Sequence, residues 1–339
     1  MAHDFDYMSA TEMRLRVACK DISPVALTER ALARADEVEP RLNAFFELLP
    51  EEAMKAARAA EDAVMKGDTL GALHGIPLSV KDLIAVGGAP FSLGSKTMEG
   101  NIAAEDAPAV ERVRTAGGVV IGKTTTSEFG CKPVGDSPLT GITRNPWDTD
   151  KTPGGSSAGA AASVAAGVTP FALGTDGGGS VRIPSAFTGL AGIKGSFARV
   201  PVWPTSATPT LAHVGPLARN VRDAALLFSA IAGYDARDPF SIAGDVPDVI
   251  GACDQSVEGM RVAWSPTLGY ARPNADVVAV VEAAVRKFED AGAIVEQVDD
   301  VFEADPADLW TAEFYAGVGI KLRDFLENKR DMLDPAVAD

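Results

Sequence analysis

The chain has 339 residues, 46% hydrophobic and 23% charged, a globular profile with length enough to bury a substantial core. Its 31 basic and 47 acidic residues give a formal charge of −16, so the cationic footprint that nucleic-acid binding needs is missing. The three cysteines, Cys19, Cys131 and Cys253, are widely spaced and form no CxxC pair, which argues against a disulfide framework. The opening MAHDFDYMSA shows no basic stretch followed by an apolar one, and no run of about 18 apolar residues occurs. A cytoplasmic protein with no membrane partner is the expectation.

Residues 1–70 read as helical. Ser23 is placed to cap a helix that starts at Pro24, where a missing N–H costs nothing. Leu27, Ala31, Ala35 and Val38 follow at helical spacing, with Pro40 expected to interrupt them. Residues 51–67 form a second helical stretch that Gly67 closes. From residue 71 short apolar runs (IPLSV, GVVIG, PFALG) alternate with helical segments at 108–116 and 158–166. That alternation predicts an α/β fold with strands buried under helices on both faces. Beyond residue 220 come a helix (NVRDAALLFSAIAG), a strand (MRVAWS), a helix (ADVVAVVEAAVRKFEDAG) and a strand (AIVEQV). No repeat or linker separates these parts. A single domain is expected, with residues 1–70 as its N-terminal segment and 71–339 as its main body.

Residues 152–187, TPGGSSAGAAASVAAGVTPFALGTDGGGSVRIPSAF, carry the strongest chemical signal. Gly177, Gly178 and Gly179 precede Ser180, and three residues without Cβ can turn several N–H groups toward one point. An oxyanion hole needs such preorganised donors. Gly154 and Gly155 precede Ser156 and Ser157 at the start of the Ala-rich helix, near the positive end of its dipole. Singly, each cluster also fits a tight turn with a cap. Jointly they suggest two serines meeting at one end of a sheet.

A serine nucleophile needs a base. His3 lies in the terminus, His74 precedes a strand and His213 lies in a Pro-rich region, so none is well placed. Lys81 follows the strand PLSV and should project at its carboxyl end, where α/β sites gather. To act as a base it must be neutral, which requires its pKa to fall from about 10.4 toward 7 at a cost of ~4 kcal/mol.

At this point the residues resemble the amidase signature enzymes, which include fatty acid amide hydrolase, peptide amidase, malonamidase and the glutamine-hydrolysing component of the glutamyl-tRNA amidotransferase. The centre of the likeness is GGSSAGAAAS followed by GTDGGGSVRIPSAFTGLAGIKGS, and LHGIPLSVKDLI, GGVVIGKTTTSEFG and GITRNPW flank it in the family's order. The likeness runs over about residues 71–238 and implies one domain with a central mixed sheet. It implies Ser180 as the nucleophile that forms an acyl-enzyme. Ser156 would be the bridging serine, associated in the family with a cis peptide bond, and Lys81 the neutral lysine that draws a proton through it. The N–H groups of Gly177, Gly178, Gly179 and Ser180 would form the oxyanion hole. Asp176 and Arg182 would pair to hold the nucleophile loop, Ser157 would support it by hydrogen bonds, and Gly130 falls near a substrate-contacting position. The implied activity is hydrolysis of a linear carboxamide to a carboxylic acid and ammonia or an amine. No metal or other cofactor is implied, the partner is a small amide, and a homodimer is left open.

Three other readings compete. GGVVIGKT satisfies the P-loop pattern, but its helix comes first and VVI is itself the strand, against the required strand–loop–helix order. A non-catalytic family member is opposed by the intact triad positions. The glutamine-hydrolysing component of a tRNA-dependent amidotransferase is a closer alternative, although WPTSATPTLAHVGPLARN looks more like stand-alone bacterial amidases. Family members usually continue beyond the length of this chain, so the sequence is expected to lack a C-terminal part of the fold and an apolar face is expected to lie open. Substrate identity is not legible.

Overall fold

A computed structural model of the chain describes residues 5–339. His3 therefore lies outside the described residues. The first unit runs to Ile250 and resumes over Gly317–Asp339; the second is Gly251–Ala316.

The first unit opens with helices α1 (Ala10–Ala18) and α2 (Pro24–Leu42), strand β1 (Phe45–Leu48) and helix α3 (Pro50–Lys66). Ser23 Oγ accepts the N–H groups of Val25 and Ala26 at 3.0 and 3.2 Å, so the expected cap is formed. Pro40 does not interrupt α2, which continues to Leu42 and stops at Asn43 in the left-handed region. Two residues from the helix end, proline forfeits one i→i−4 bond, and burial of Leu27, Ala31, Ala35, Val38 and Leu42 on one face holds the turn. Gly67 closes α3 with φ of +78°.

Next come β2 (Pro77–Lys81), α4 (Pro108–Thr115), β3 (Val119–Thr124), the short pair β4 (Asp136–Ser137) and β5 (Gly141–Ile142), α5 (Ala158–Ala165), β6 (Phe171–Asp176) and α6 (Arg182–Thr188). Strands β7 (Ala191–Gly192) and β8 (His213–Ala218) follow, then α7 (Val221–Ile231) and α8 (Val249–Ala252). Six strands form one mixed sheet in the order β1-β3-β2-β6-β8-β7. β2 runs parallel to both β3 and β6, and the other pairs are antiparallel. Alternating residues of β3 enter different cores. Val119 and Ile121 pack with Ala31, Ala35, Leu42 and Ala57, whereas Val120 packs with Leu78, Val110, Phe171 and Leu227. Both faces of the sheet are thus covered, as the buried apolar runs predict. The whole segment VVIGKT is strand, which removes the P-loop geometry.

The second unit contains β9 (Arg261–Trp264), α9 (Ala275–Asp290) and β10 (Ile294–Gln297), with β9 and β10 parallel. Helix α10 (Ala307–Lys321) leads back into the first unit, which ends with α11 (Arg323–Asn328) and α12 (Pro335–Ala338). Among the described residues no helix is long and apolar enough to cross a membrane.

Candidate active site

Because β2 and β6 are parallel, with Val80 opposite Leu173, their carboxyl ends lie at the same edge of the sheet. Lys81 ends β2, and Thr175 and Asp176 end β6. Helix α5 begins just after Ser157 and packs against both strands, which brings the GGSS segment over Lys81. Only glycine fits at position 159, since a Cβ there would lie 2.1 Å from the Ala44 carbonyl oxygen. The peptide bond between Gly155 and Ser156 is cis.

Lys81 is fully buried. Its Nζ lies 2.7 Å from Ser156 Oγ and 2.8 Å from Thr175 Oγ1. Burial drives its pKa well below the ordinary lysine value, and the Asp176 carboxylate pulls the other way. Ser156 is buried as well, whereas Ser180 is half-buried. Lys81 and Ser156 are thus both closed off from solvent, whereas Ser180 is partly open to it. Among the described residues the Ser180 hydroxyl makes no hydrogen bond.

Asp176 organises the loop that carries Ser180. Its carboxylate accepts the N–H groups of Gly179, Val181 and Arg182 at 2.8, 3.2 and 3.3 Å. Arg182 adds a two-point pair, Nε to Oδ2 at 2.9 Å and Nη2 to Oδ1 at 2.8 Å. Burial opposes ionisation of Asp176, but Arg182 and the Val181 and Gly179 N–H groups outweigh it, so the carboxyl titrates below its ordinary range. The expected Asp176–Arg182 pairing is present.

The Gly179 N–H, expected among the oxyanion donors, instead donates to the Asp176 carboxylate. With φ of +125° its backbone reaches a conformation that glycine alone adopts readily. The N–H groups of Gly178 and Ser180, by contrast, make no hydrogen bond among the described residues. Ser157 supports the loop from below. Its N–H donates to the Ser180 carbonyl at 3.3 Å, its Oγ donates to the Thr175 carbonyl at 3.2 Å, and it accepts the Thr175 N–H at 3.3 Å. Gly130 also reaches the site, because a Cβ there would lie 3.3 Å from Ser156 Oγ.

Neither described histidine hydrogen-bonds to Lys81, Ser156 or Ser180. His74 Nε2 donates to the Ala60 carbonyl at 2.9 Å, and His213 Nδ1 meets the carbonyls of Leu211 and Asp176 at 2.8 and 3.2 Å.

Two features are not legible as site residues in the sequence. Thr175, inside GTDGGGS, holds the far side of the Lys81 amine; its position before Asp176 is the available signal. Lys123 pairs with Asp82 at 3.0 Å and donates to the carbonyls of Ile84 and Pro90 at 2.9 and 3.1 Å. Burial lowers the Lys123 pKa while Asp82 opposes this. An acid directly after Lys81 is the only hint of that pair.

A model of the Amidase family matches residues 26–326, nearly the whole chain. This chain belongs to the amidase family. An acylamidase of Rhodococcus erythropolis is 39% identical over 331 residues, covering 97% of this amidase chain and 69% of the relative. From Nitrosococcus oceani, the A component of glutamyl-tRNA(Gln) amidotransferase is 37% identical, covering 86% of this chain but 60% of that protein. The amidase thus spans about two thirds of the length of such relatives. Among solved structures, a bacterial aryl acylamidase of the amidase signature family superposes with a TM-score of 0.91 at 31% identity, covering 98% of this chain and 71% of that one. Peptide amidase from Stenotrophomonas maltophilia gives 0.82 at 30% identity, with 95% and 69% covered.

Proposed function

We propose that this amidase hydrolyses linear carboxamides to a carboxylic acid and ammonia or an amine through an acyl-enzyme on Ser180. The observation that carries the proposal is the fully buried Lys81 amine 2.7 Å from Ser156 Oγ. In its neutral form Lys81 accepts the Ser156 proton, and Ser156 takes the proton of Ser180 as Ser180 Oγ bonds to the amide carbon. The N–H groups of Gly178 and Ser180, with Gly177 beside them, face the developing oxyanion. The relay then returns a proton to the nitrogen as the C–N bond breaks, which matters because an amide anion is a very poor leaving group. Water hydrolyses the resulting ester through the same relay. Asp176, Arg182 and Ser157 hold the loop, and Gly130 leaves room beside Ser156 for the acyl group. The chemistry calls on no cofactor.

Glutamine hydrolysis within an amidotransferase is less well supported. The acylamidase match spans 97% of the chain, against 86% for the amidotransferase component. The test is a panel of aliphatic, aryl and peptide amides with glutamine included, assayed beside Ser180→Ala. The wild type should release amine from one class, and mass spectrometry should find the acyl adduct on Ser180. Ser180→Ala should lose turnover by about 10⁴-fold or more. Undiminished turnover in Ser180→Ala would falsify the assignment.

A further inference from the structure

The loop that brings Gly130 to Ser156 also carries a buried carboxylate with no part in the proposed chemistry. Glu128 is 0% exposed. One of its oxygens accepts the Ser95 hydroxyl at 2.6 Å, and the other accepts the backbone N–H of Asp334 at 2.6 Å. Burial raises its pKa, and those two donors pull it back only in part. The Asp334 side chain in turn holds the Lys132 ammonium and caps α12 by accepting the Ala336 N–H at 2.9 Å. Lys132 also pairs with Asp136 at 2.8 Å. On the other flank of Gly130, the Phe129 ring stacks on Phe325 of α11 with centroids 6.2 Å apart, and the Phe129 N–H donates to the Leu93 carbonyl at 2.8 Å. Phe129 and Gly130 both have positive φ, +49° and +76°. A phenylalanine keeps that conformation only where its surroundings impose it.

We infer that Glu128 is a positioning residue: by joining Ser95 to Asp334 it clasps the segment 323–338 onto the loop of Gly130 and so fixes the space beside Ser156. The inference rests on the reading of Ser180 as nucleophile, since that space is then where the acyl group lies. The clasp acts on which acyl groups fit, while the proton relay is left intact. Glu128→Ala strands the Asp334 N–H and cuts its link to Ser95, which frees the loop. Glu128→Gln keeps both contacts. Its amide oxygen accepts the Asp334 N–H, its NH₂ donates to Ser95 Oγ, and the Ser95 proton turns to Thr97 Oγ1, 2.7 Å away.

The experiment compares Ser180 labelling by a short-chain and a long-chain alkyl fluorophosphonate, in which the Ser–O–P bond forms as fluoride leaves. Rates are read well below the melting temperature of each variant. Glu128→Ala should change the long-to-short rate ratio by about tenfold, and Glu128→Gln should keep it within about twofold of wild type. A lowered melting temperature with an unchanged ratio means a merely structural role and overturns the inference, while labelling at Ser180 still upholds the nucleophile. Should Glu128→Ala fail to fold, Lys132→Met replaces it, with a shift of about threefold expected and an unchanged ratio again overturning the clasp. Should wild-type Ser180 resist both probes, the nucleophile reading falls, and hydrogen exchange over residues 127–132 decides on the clasp alone. Faster exchange in Glu128→Ala but not in Glu128→Gln supports it, and equal exchange in all three overturns it.

Discussion

Strands β2 and β3 run parallel around the crossover helix α4, and strands β9 and β10 run parallel around α9. In the first pair every residue is buried, because β1 and β6 pair with the outer edges and helices cover both faces. The second pair stands as a two-stranded sheet whose residues are exposed or half-buried. Its helix leaves apolar positions open, with Val280 71% exposed. The charged groups behave accordingly. Arg261 on β9 pairs with Glu296 at 2.8 Å in solvent, a contact worth little. Lys81 on β2 is stripped of water, and desolvation turns an ordinary cation into a candidate base. A shared local topology thus supports opposite chemistry according to how much water it excludes.

The sharpest way to break this contrast is to remove the desolvated amine. Lys81→Met should lower kcat/KM by about 10²- to 10⁴-fold, whereas an exposed lysine would matter little. In the wild type, kcat/KM should rise with pH through the Lys81 pKa, with a midpoint well below about 10.4. Between that midpoint and about 10.4 the unfolded chain holds a proton that folded Lys81 lacks, so the contribution of this site to stability rises with pH there. Lys81→Met should remove that slope from pH-dependent denaturation curves. Removing the hydroxyl on the far side of the amine, as in Thr175→Val, tests orientation alone. A rate loss of about 10- to 100-fold is expected, with most of it restored in Thr175→Ser. Unchanged rates in Thr175→Val would show that the amine needs no second anchor.

Packing offers the next comparison. Gly159→Ala would push a methyl group into the Ala44 carbonyl and the Thr125 side chain, at 2.1 and 2.4 Å. Neither partner is the free end of a flexible side chain, so urea denaturation should show a loss of about 1–3 kcal/mol. The smallest effect belongs to the open helix of the second unit. Val280→Ser should change stability by no more than about 0.5 kcal/mol in the same assay. A loss as large as that of Gly159→Ala would mean that α9 is covered in solution, and the contrast between the two βαβ units would fail.

Within about 40 residues the sequence determined a good deal of this molecule. The Ser23 cap, the Gly67 stop, the buried runs that became β2, β3 and β6, and the motif GTDGGGS before Ser180 are local statements. Each follows from side-chain size, backbone freedom or periodicity, so each is legible in a short window. Pro40 runs against its local reading because a proline near a helix end loses one hydrogen bond while a whole apolar face keeps its burial.

What only the tertiary structure decided are the meetings of distant residues. The approach of Lys81 to Ser156 and Thr175 spans 75 and 94 positions, and the contact of Glu128 with Asp334 spans 206. Nothing in the sequence around Glu128 announces its partner, because a hydrogen bond depends on distance and angle in space. The same holds for Gly179, whose composition suits an oxyanion donor but whose N–H is claimed by Asp176. Charge state belongs to this class too. Lys81 is written identically to every exposed lysine in the chain, and only the sheet and helix that exclude water from it set its proton affinity apart.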